Sequence, residues 1–249
     1  MNNTQCEWKL TPIGASKASR TYKAVHTITK ETRVCKIAKK GWVPELEKEK
    51  LVLNDIASKF ENPPHIVTMY PDIFPTLERS HLILQYGCPL TETVNSYSYQ
   101  QVVTIGEHIA RGLEKIHKTG YLHNDIKPAN IIEVAGSYKI IDFGAAEKKE
   151  ADLQEIIGTL PFTAPERLRA KEQVGPQSDI YSLGMTLIEL LTSDTIFNFF
   201  LSNLTQEQLT QTVIAKTSFP TVIEQGVDIP LELDLVLEKM IHKKFYEEL

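Results

Sequence analysis

The chain has 249 residues, 42 % of them hydrophobic and 24 % charged, and a formal net charge of −5. That length suits one unit of two lobes whose core needs no disulfides, and the acidic balance gives no overall pull toward nucleic acid or an anionic membrane while favouring basic partners. Three cysteines, Cys6, Cys35 and Cys88, are too few and too scattered for a disulfide framework or a zinc site, and read as reduced thiols of a cytoplasmic protein.

The opening Met1-Asn2-Asn3-Thr4-Gln5 is polar, unlike a secretory signal, and no apolar run is long enough to span a bilayer. An address read by a dedicated secretion machine, which would deliver the protein into a host cytosol, escapes that test. Thr21–Val25 and Thr32–Ile37 are predicted as paired strands around a polar turn. Pro44 opens a helix that runs to about Lys59, since proline early in a helix misses no amide donor. Leu46, Val52, Leu53 and Ile56 form its apolar face, and Asn62-Pro63-Pro64 ends it. Ile66-Val67 and His81–Leu84 read as further strands. Gly87-Cys88-Pro89 marks a break. Beyond it, Val102, Ile105, Ile109, Leu113 and Ile116 recur at three and four residues, predicting a helix capped by Gly120. Ile131–Val134 and Tyr138–Ile141 flank Ala-Gly-Ser as a hairpin. Asp179–Leu191 is apolar nearly all round, the pattern of a buried helix. The remainder to Leu249 mixes short helical patterns with polar loops.

Three strings fall on the predicted loops: His123-Asn124-Asp125-Ile126-Lys127-Pro128-Ala129-Asn130, then Asp142-Phe143-Gly144, then Ala164-Pro165-Glu166. Asp125 can accept a proton from an attacking hydroxyl. Asn130 and Asp142 offer hard oxygen donors suited to Mg²⁺. Any one string is weak evidence; the ordered set resembles the catalytic loop, metal-binding turn and activation-segment end of the eukaryotic-like serine/threonine protein kinase family. The resemblance runs from about Trp8 to Met240. It implies an α+β, bilobal fold in one domain, 1–249, with a β-rich N-lobe with one long helix to about 86, a hinge at about 85–89 and a mainly helical C-lobe from about 88. It also implies transfer of the γ-phosphate of ATP to a Ser or Thr hydroxyl of a protein substrate, with Mg²⁺, or Mn²⁺ in its place.

The same resemblance distributes roles. Lys36 corresponds to the lysine that contacts the α- and β-phosphates. Glu45, Glu47 and Glu49 compete to orient it; Glu49 is chosen because Val52, Leu53 and Ile56 follow at three, four and seven residues. Asp125 orients the hydroxyl and accepts its proton, Lys127 neutralises the γ-phosphate, and Thr159 bridges the two. Asn130 and Asp142 hold the metal. Ile13, Gly14 and Ser16 cover the nucleotide, Leu84 is the gatekeeper behind the adenine, and Gln85 and Gly87 present backbone groups to its edge. His123 packs near Phe143 without a chemical role, and Cys88 is an idle hinge thiol.

The chain also departs from the family. In Gly14-Ala15-Ser16-Lys17-Ala18-Ser19 only the first glycine of G-x-G-x-x-G survives, although a serine hydroxyl still offers phosphate a donor. This supports the alternative of a weak or inactive kinase-like scaffold that holds nucleotide. A small-molecule phosphotransferase of the aminoglycoside or choline type is a further alternative, but such enzymes lack the Thr159–Glu166 segment. Asn124 replaces the arginine that in the family binds an activation-loop phosphate, and residues 145–157 contain no Ser, Thr or Tyr. Acidic residues or an activating protein partner are therefore expected to order that loop. No arginine follows Pro230 to pair with Glu166. Either Lys239, Lys243 or Lys244 substitutes, or the pair is lost, or the chain is a piece of a longer one.

Overall fold

A computed structural model describes residues 7–92, 97–149, 158–168, 174–192, 205, 207–208, 210 and 221–242. The N-terminal part is a five-stranded antiparallel sheet of β1 (Trp8–Ala15), β2 (Ser19–His26), β3 (Thr32–Ala38), β4 (Met69–Tyr70) and β5 (His81–Gln85), in the order β1-β2-β3-β5-β4. Helix α1 (Val43–Lys59) packs against β3 and β5. Strand register decides which side chains share a face. Lys36 pairs with Thr21 on one side and Leu82 on the other, and alternation puts Thr21, Val34 and Lys36 on one face. The opposite face carries its own small core of Ala24, Cys35, Phe74 and Ile83.

Pro44 sits in the first turn of α1, and Leu46, Val52, Leu53 and Ile56 are buried together with one charged residue, Glu49. Ile66-Val67 is not a strand of the sheet. His65, in the left-handed region at φ 64°, turns the chain. Ile66 then makes only an isolated bridge to Ile140, with Val67 N donating to the Ile140 carbonyl. The strand that joins the sheet is the next pair, β4.

After β5 the chain enters a second sheet through β6 (Cys88–Pro89), which pairs with β8 (Ile131–Val134), itself paired with β9 (Ser137–Ile140). The β8–β9 link is tighter than expected. Ala135 and Gly136, with φ of 49° and 77°, form the whole turn, and Ser137 already pairs with Val134. Positive φ at both central positions is what the right-handed twist of a two-residue hairpin demands. Helix α2 (Tyr99–Lys118) begins in a capping box of Ser98 and Gln101 and stops where Gly120, at φ 83°, donates to the His117 carbonyl. Its five periodic residues, Val102 through Ile116, have no exposed surface. Strand β7 (Tyr121–Leu122) pairs with β10 (Glu147–Lys148). Helices α3 (Pro165–Leu168), α4 (Pro176–Thr192) and α5 (Leu231–Ile241) complete the described part. Twelve of the seventeen α4 residues are buried, between α2 and α5. No helix among the described residues is long and apolar enough to cross a membrane.

Candidate active site

Lys36 projects from the middle of β3 into the cleft between the two sheets. Its Nζ donates to both carboxylate oxygens of Glu49, at 2.9 and 2.7 Å, and to Asp142 Oδ1 at 2.9 Å. The phase of α1 explains why Glu49 is the partner. It shares the buried stripe with Leu46, Val52, Leu53 and Ile56, whereas Glu47 is exposed and accepts from the Ser80 hydroxyl. Burial alone would lower the Lys36 pKa; the two carboxylates more than reverse this and hold the ammonium above its ordinary value. Burial raises the Glu49 carboxyl, with Lys36 pulling the other way. Asp142 is also buried enough to be raised, but the Lys36 ammonium brings it below its usual value, so it is ionised.

Asp142 adopts φ 63°, a left-handed conformation that aspartate tolerates better than most residues. This turn drives Phe143 inward. The ring is fully buried, meets the His123 ring edge-on at 5.0 Å, and its backbone N–H donates to Glu49 Oε1 at 3.3 Å. Burial pushes the His123 pKa down. A neutral ring fits its contacts: Nε2 sits 3.1 Å from the Ile141 carbonyl and Nδ1 accepts from the Asp125 N–H.

A second cluster lies outside the cleft's lining: Lys127 Nζ lies 2.7 Å from Asp125 Oδ2 and 2.7 Å from Thr159 Oγ1, and the Thr159 hydroxyl donates to Asp125 Oδ1 at 2.9 Å. Asn130 Nδ2 donates to both the backbone carbonyl and Oδ2 of Asp125. That commits the amide nitrogen and leaves Asn130 Oδ1 as the atom able to ligate a cation. Asn130 and Asp142 line the same cavity, so the donor set includes two hard oxygens, which fits Mg²⁺ or Mn²⁺.

Helix α4 positions these loops through a polar stripe that its apolar pattern hid. Asp179 Oδ2 accepts from the His123 N–H and from His117 Nε2, and Oδ1 accepts from the Asn124 N–H, all at 2.8 Å. Burial by itself would raise Asp179, but these bonds and the nearby histidines hold it below the ordinary carboxylate value. Ser182 donates to the Phe162 carbonyl at 2.6 Å. Asp179, Ser182 and Thr186, spaced by three and four, are the signal that would have found this scaffold in the sequence.

The cleft has a volume of about 260 Å³. Ile13, Gly14, Lys36, Leu84, Gln85 and Gly87 line it, joined by Thr21, Val34, Val67, Ile132 and Ile141, which the sequence reading did not single out. Thr21 and Val34 follow from register, since both share the face of Lys36. Gly87 has no room for a side chain: a Cβ would meet the Glu133 carbonyl at 2.7 Å and Ile132 and Val134 at 2.8 Å. Ser16 lies outside the lining. Its Oγ accepts from the Ser19 N–H at 3.1 Å and bonds the Ser19 hydroxyl at 3.2 Å, so the serines of the β1–β2 turn close on each other.

The three departures in the C-terminal part also have local partners. Asn124, at φ 70°, donates from Nδ2 to the Ala145 carbonyl at 3.0 Å and accepts from Arg167 Nη1 at 2.6 Å. Glu147 Oε1 meets Lys48 Nζ of α1 at 2.5 Å. Glu166 accepts from the Ser178 hydroxyl at 2.7 Å. Residues 150–157, Lys243 and Lys244 lie outside the described residues.

The family model described as "Protein kinase domain" matches residues 9–247. The chain belongs to the protein kinase domain family. It is 30 % identical over 210 residues to a probable cyclin-dependent serine/threonine-protein kinase of Dictyostelium discoideum, a match covering 80 % of this chain and 32 % of that protein. It is 27 % identical over 194 residues to the serine/threonine-protein kinase pak-1 of Caenorhabditis elegans, covering 75 % and 33 %. A protein kinase and PP2C-like domain-containing protein of Arabidopsis thaliana is 32 % identical over 171 residues, covering 55 % and 25 %. This kinase-family chain thus spans about a quarter to a third of the length of those relatives. A crystallised kinase domain superposes with a TM-score of 0.64 at 21 % identity, covering 75 % of this chain and 64 % of that one, which establishes the shared bilobal α+β kinase fold.

Proposed function

We propose that the protein is an ATP- and Mg²⁺-dependent serine/threonine kinase that phosphorylates a protein substrate. The observation that carries this reading is a pair of clusters joined through one cleft: Lys36 with Glu49 and Asp142, and Asp125 with Lys127, Thr159 and Asn130, where Lys36, Asp142 and Asn130 line the cleft and Asn130 bonds Asp125. Phosphoryl transfer through a loose transition state asks a protein for alignment and charge neutralisation more than for covalent chemistry. Lys36 is placed to meet the α- and β-phosphates, with Glu49 fixing its ammonium. Asp125 is placed to orient the acceptor hydroxyl and take its proton late, and Lys127 to meet the γ-phosphate. Asn130 and Asp142 are the residues that would hold a divalent metal, whose charge, when bound, offsets that of the phosphates. Ile13, Gly14, Thr21 and Val34 would cover the adenine, with Leu84 behind it and the backbone of Gln85 and Gly87 at its edge. Ser16 would reach a phosphate only if its bonds to Ser19 opened. A scaffold that merely holds nucleotide has no need of the Asp125–Lys127–Thr159 arrangement. A reducing cytosol, the producing cell's or a host's, suits the free thiols of Cys35 and Cys88.

The test is to incubate the pure chain with labelled ATP, Mg²⁺ and a cell lysate and to locate the label by mass spectrometry. Phosphate on Ser or Thr of a protein, absent with Asp125→Asn, supports the reading. Nucleotide binding without transfer, or phosphate on a small alcohol or amine, would sink it.

A further inference from the structure

Helix α1 must hold its position for Glu49 to meet Lys36, and one contact ties it to the segment just beyond Asp142-Phe143-Gly144. Lys48, the residue before Glu49, bonds Glu147 at 2.5 Å, with side-chain exposures of 35 % and 26 %. The Glu147 backbone is itself fixed, paired with Leu122 of β7, the residue before His123. Two residues earlier, the Ala145 carbonyl accepts from Asn124. Arg167 approaches from α3: Nη1 bonds Asn124, Nε is buried without a partner among the described residues, and Glu147 is one of the negative charges the guanidinium feels. The Glu147 carboxylate therefore bonds a cation of α1 from backbone pinned to the catalytic loop, and it adds to the field of Asp179 and Glu166 on the cation of α3.

We propose that Glu147 is a positioning residue for phosphoryl transfer: held by β7 and bonded to Lys48, its carboxylate fixes α1 so that Glu49 engages Lys36 without phosphorylation of residues 145–157. That stretch offers no hydroxyl to phosphorylate. The carboxylate is a permanent charge that gives Lys48 of α1 a fixed partner on the segment after Asp142-Phe143-Gly144. Asn124 serves the arrangement twice, relaying Arg167 to the Ala145 carbonyl and adopting a left-handed φ that asparagine tolerates. A partly exposed ion pair adds little to global stability, so its effect falls on the population of the engaged α1 and not on whether the protein folds. This proposal rests on the kinase reading for its activity readout.

The test is a double-substitution cycle of Lys48→Gln, Glu147→Gln and the pair. Each single change should lower kcat roughly 10-fold, with the protein-substrate KM and the melting temperature nearly unchanged. The pair should be no worse than about threefold below the poorer single variant, because partners acting as a unit are not additive. Amide hydrogen exchange of residues 43–59 should rise in all three variants, a readout independent of catalysis. Wild-type exchange in Glu147→Gln, or fully additive losses in the pair, would overturn the proposal. A wild-type chain that transfers no phosphate, yet shows the exchange pattern, counts against the kinase reading and leaves the Glu147 linkage standing.

Discussion

Replacing Glu49 by Gln probes the Lys36 cluster with minimal change of shape. Lys36 makes three contacts, two of them to Glu49, and the glutamate side chain is only 3 % exposed. Glutamine keeps one oxygen acceptor, loses the charge, and turns an amide donor toward an ammonium. One charge-assisted bond is lost and one becomes neutral-acceptor, a change of about 2–3 kcal/mol when such bonds are worth about 1.5–3 kcal/mol each. The cost stays below the roughly 3–5 kcal/mol of stranding a buried charge, because Asp142 still pairs with Lys36 at 2.9 Å. If that energy is lost from the transition state, kcat/KM falls roughly 30- to 150-fold. The assay is initial-rate phosphotransfer over a range of ATP concentrations, with circular dichroism to verify the fold. A Glu49→Gln enzyme within threefold of wild type would refute the reasoning that the ammonium must be held by this pair.

Gly87→Ala should strain the hinge, because the added methyl meets the Glu133 carbonyl and two β8 side chains at under 3 Å; a loss of about 1–3 kcal/mol in stability is expected, together with weaker binding of an ATP analogue by calorimetric titration, and an unaffected variant would mean the hinge shifts freely. Glu189 on α4 has Oε2 buried without a partner among the described residues, and burial pushes its carboxyl up from 4.5 to about 7. The native state then holds a proton that the unfolded chain releases, so this contribution is fully present below about pH 4.5 and is lost as pH rises through about 7. Discounted for its partial exposure, Glu189→Gln should stabilise the protein by about 1–2 kcal/mol at pH 8 and by almost nothing at pH 4.5; equal melting gains at both values would contradict the burial argument.

Contiguous strings and helical periods were legible without coordinates. Asp125, Lys127 and Asn130 sit on one short loop, and Val102 through Ile116 announce the buried face of α2 by spacing alone. The bilobal fold followed from the motif set, and the family match and the structural neighbour agree with it. What the chain does not write down is pairing at a distance. Ile66-Val67 has the composition of a strand, and nothing local says that it makes one bridge to Ile140 while Met69-Tyr70 joins the sheet. Ser16 offers a hydroxyl, but the sequence does not say that Ser19 takes it. Lys48 with Glu147, and Asn124 with Arg167, are 99 and 43 residues apart and share no period. Asp179 was hidden for another reason: a helix apolar enough to be buried draws attention to its greasy residues and away from the carboxylate that holds His117, His123 and Asn124.

The central claim is that Lys36, Asn130 and Asp142 together grip a metal-bound triphosphate. Titrating a non-hydrolysable ATP analogue into wild type and Asp142→Ala, each with and without Mg²⁺, tests it most directly. Mg²⁺ should tighten binding to wild type by roughly 10-fold, an effect within the range of site-to-site coupling, and should do nothing for Asp142→Ala, whose melting temperature remains close to wild type. An equal gain from Mg²⁺ in both proteins would contradict the account.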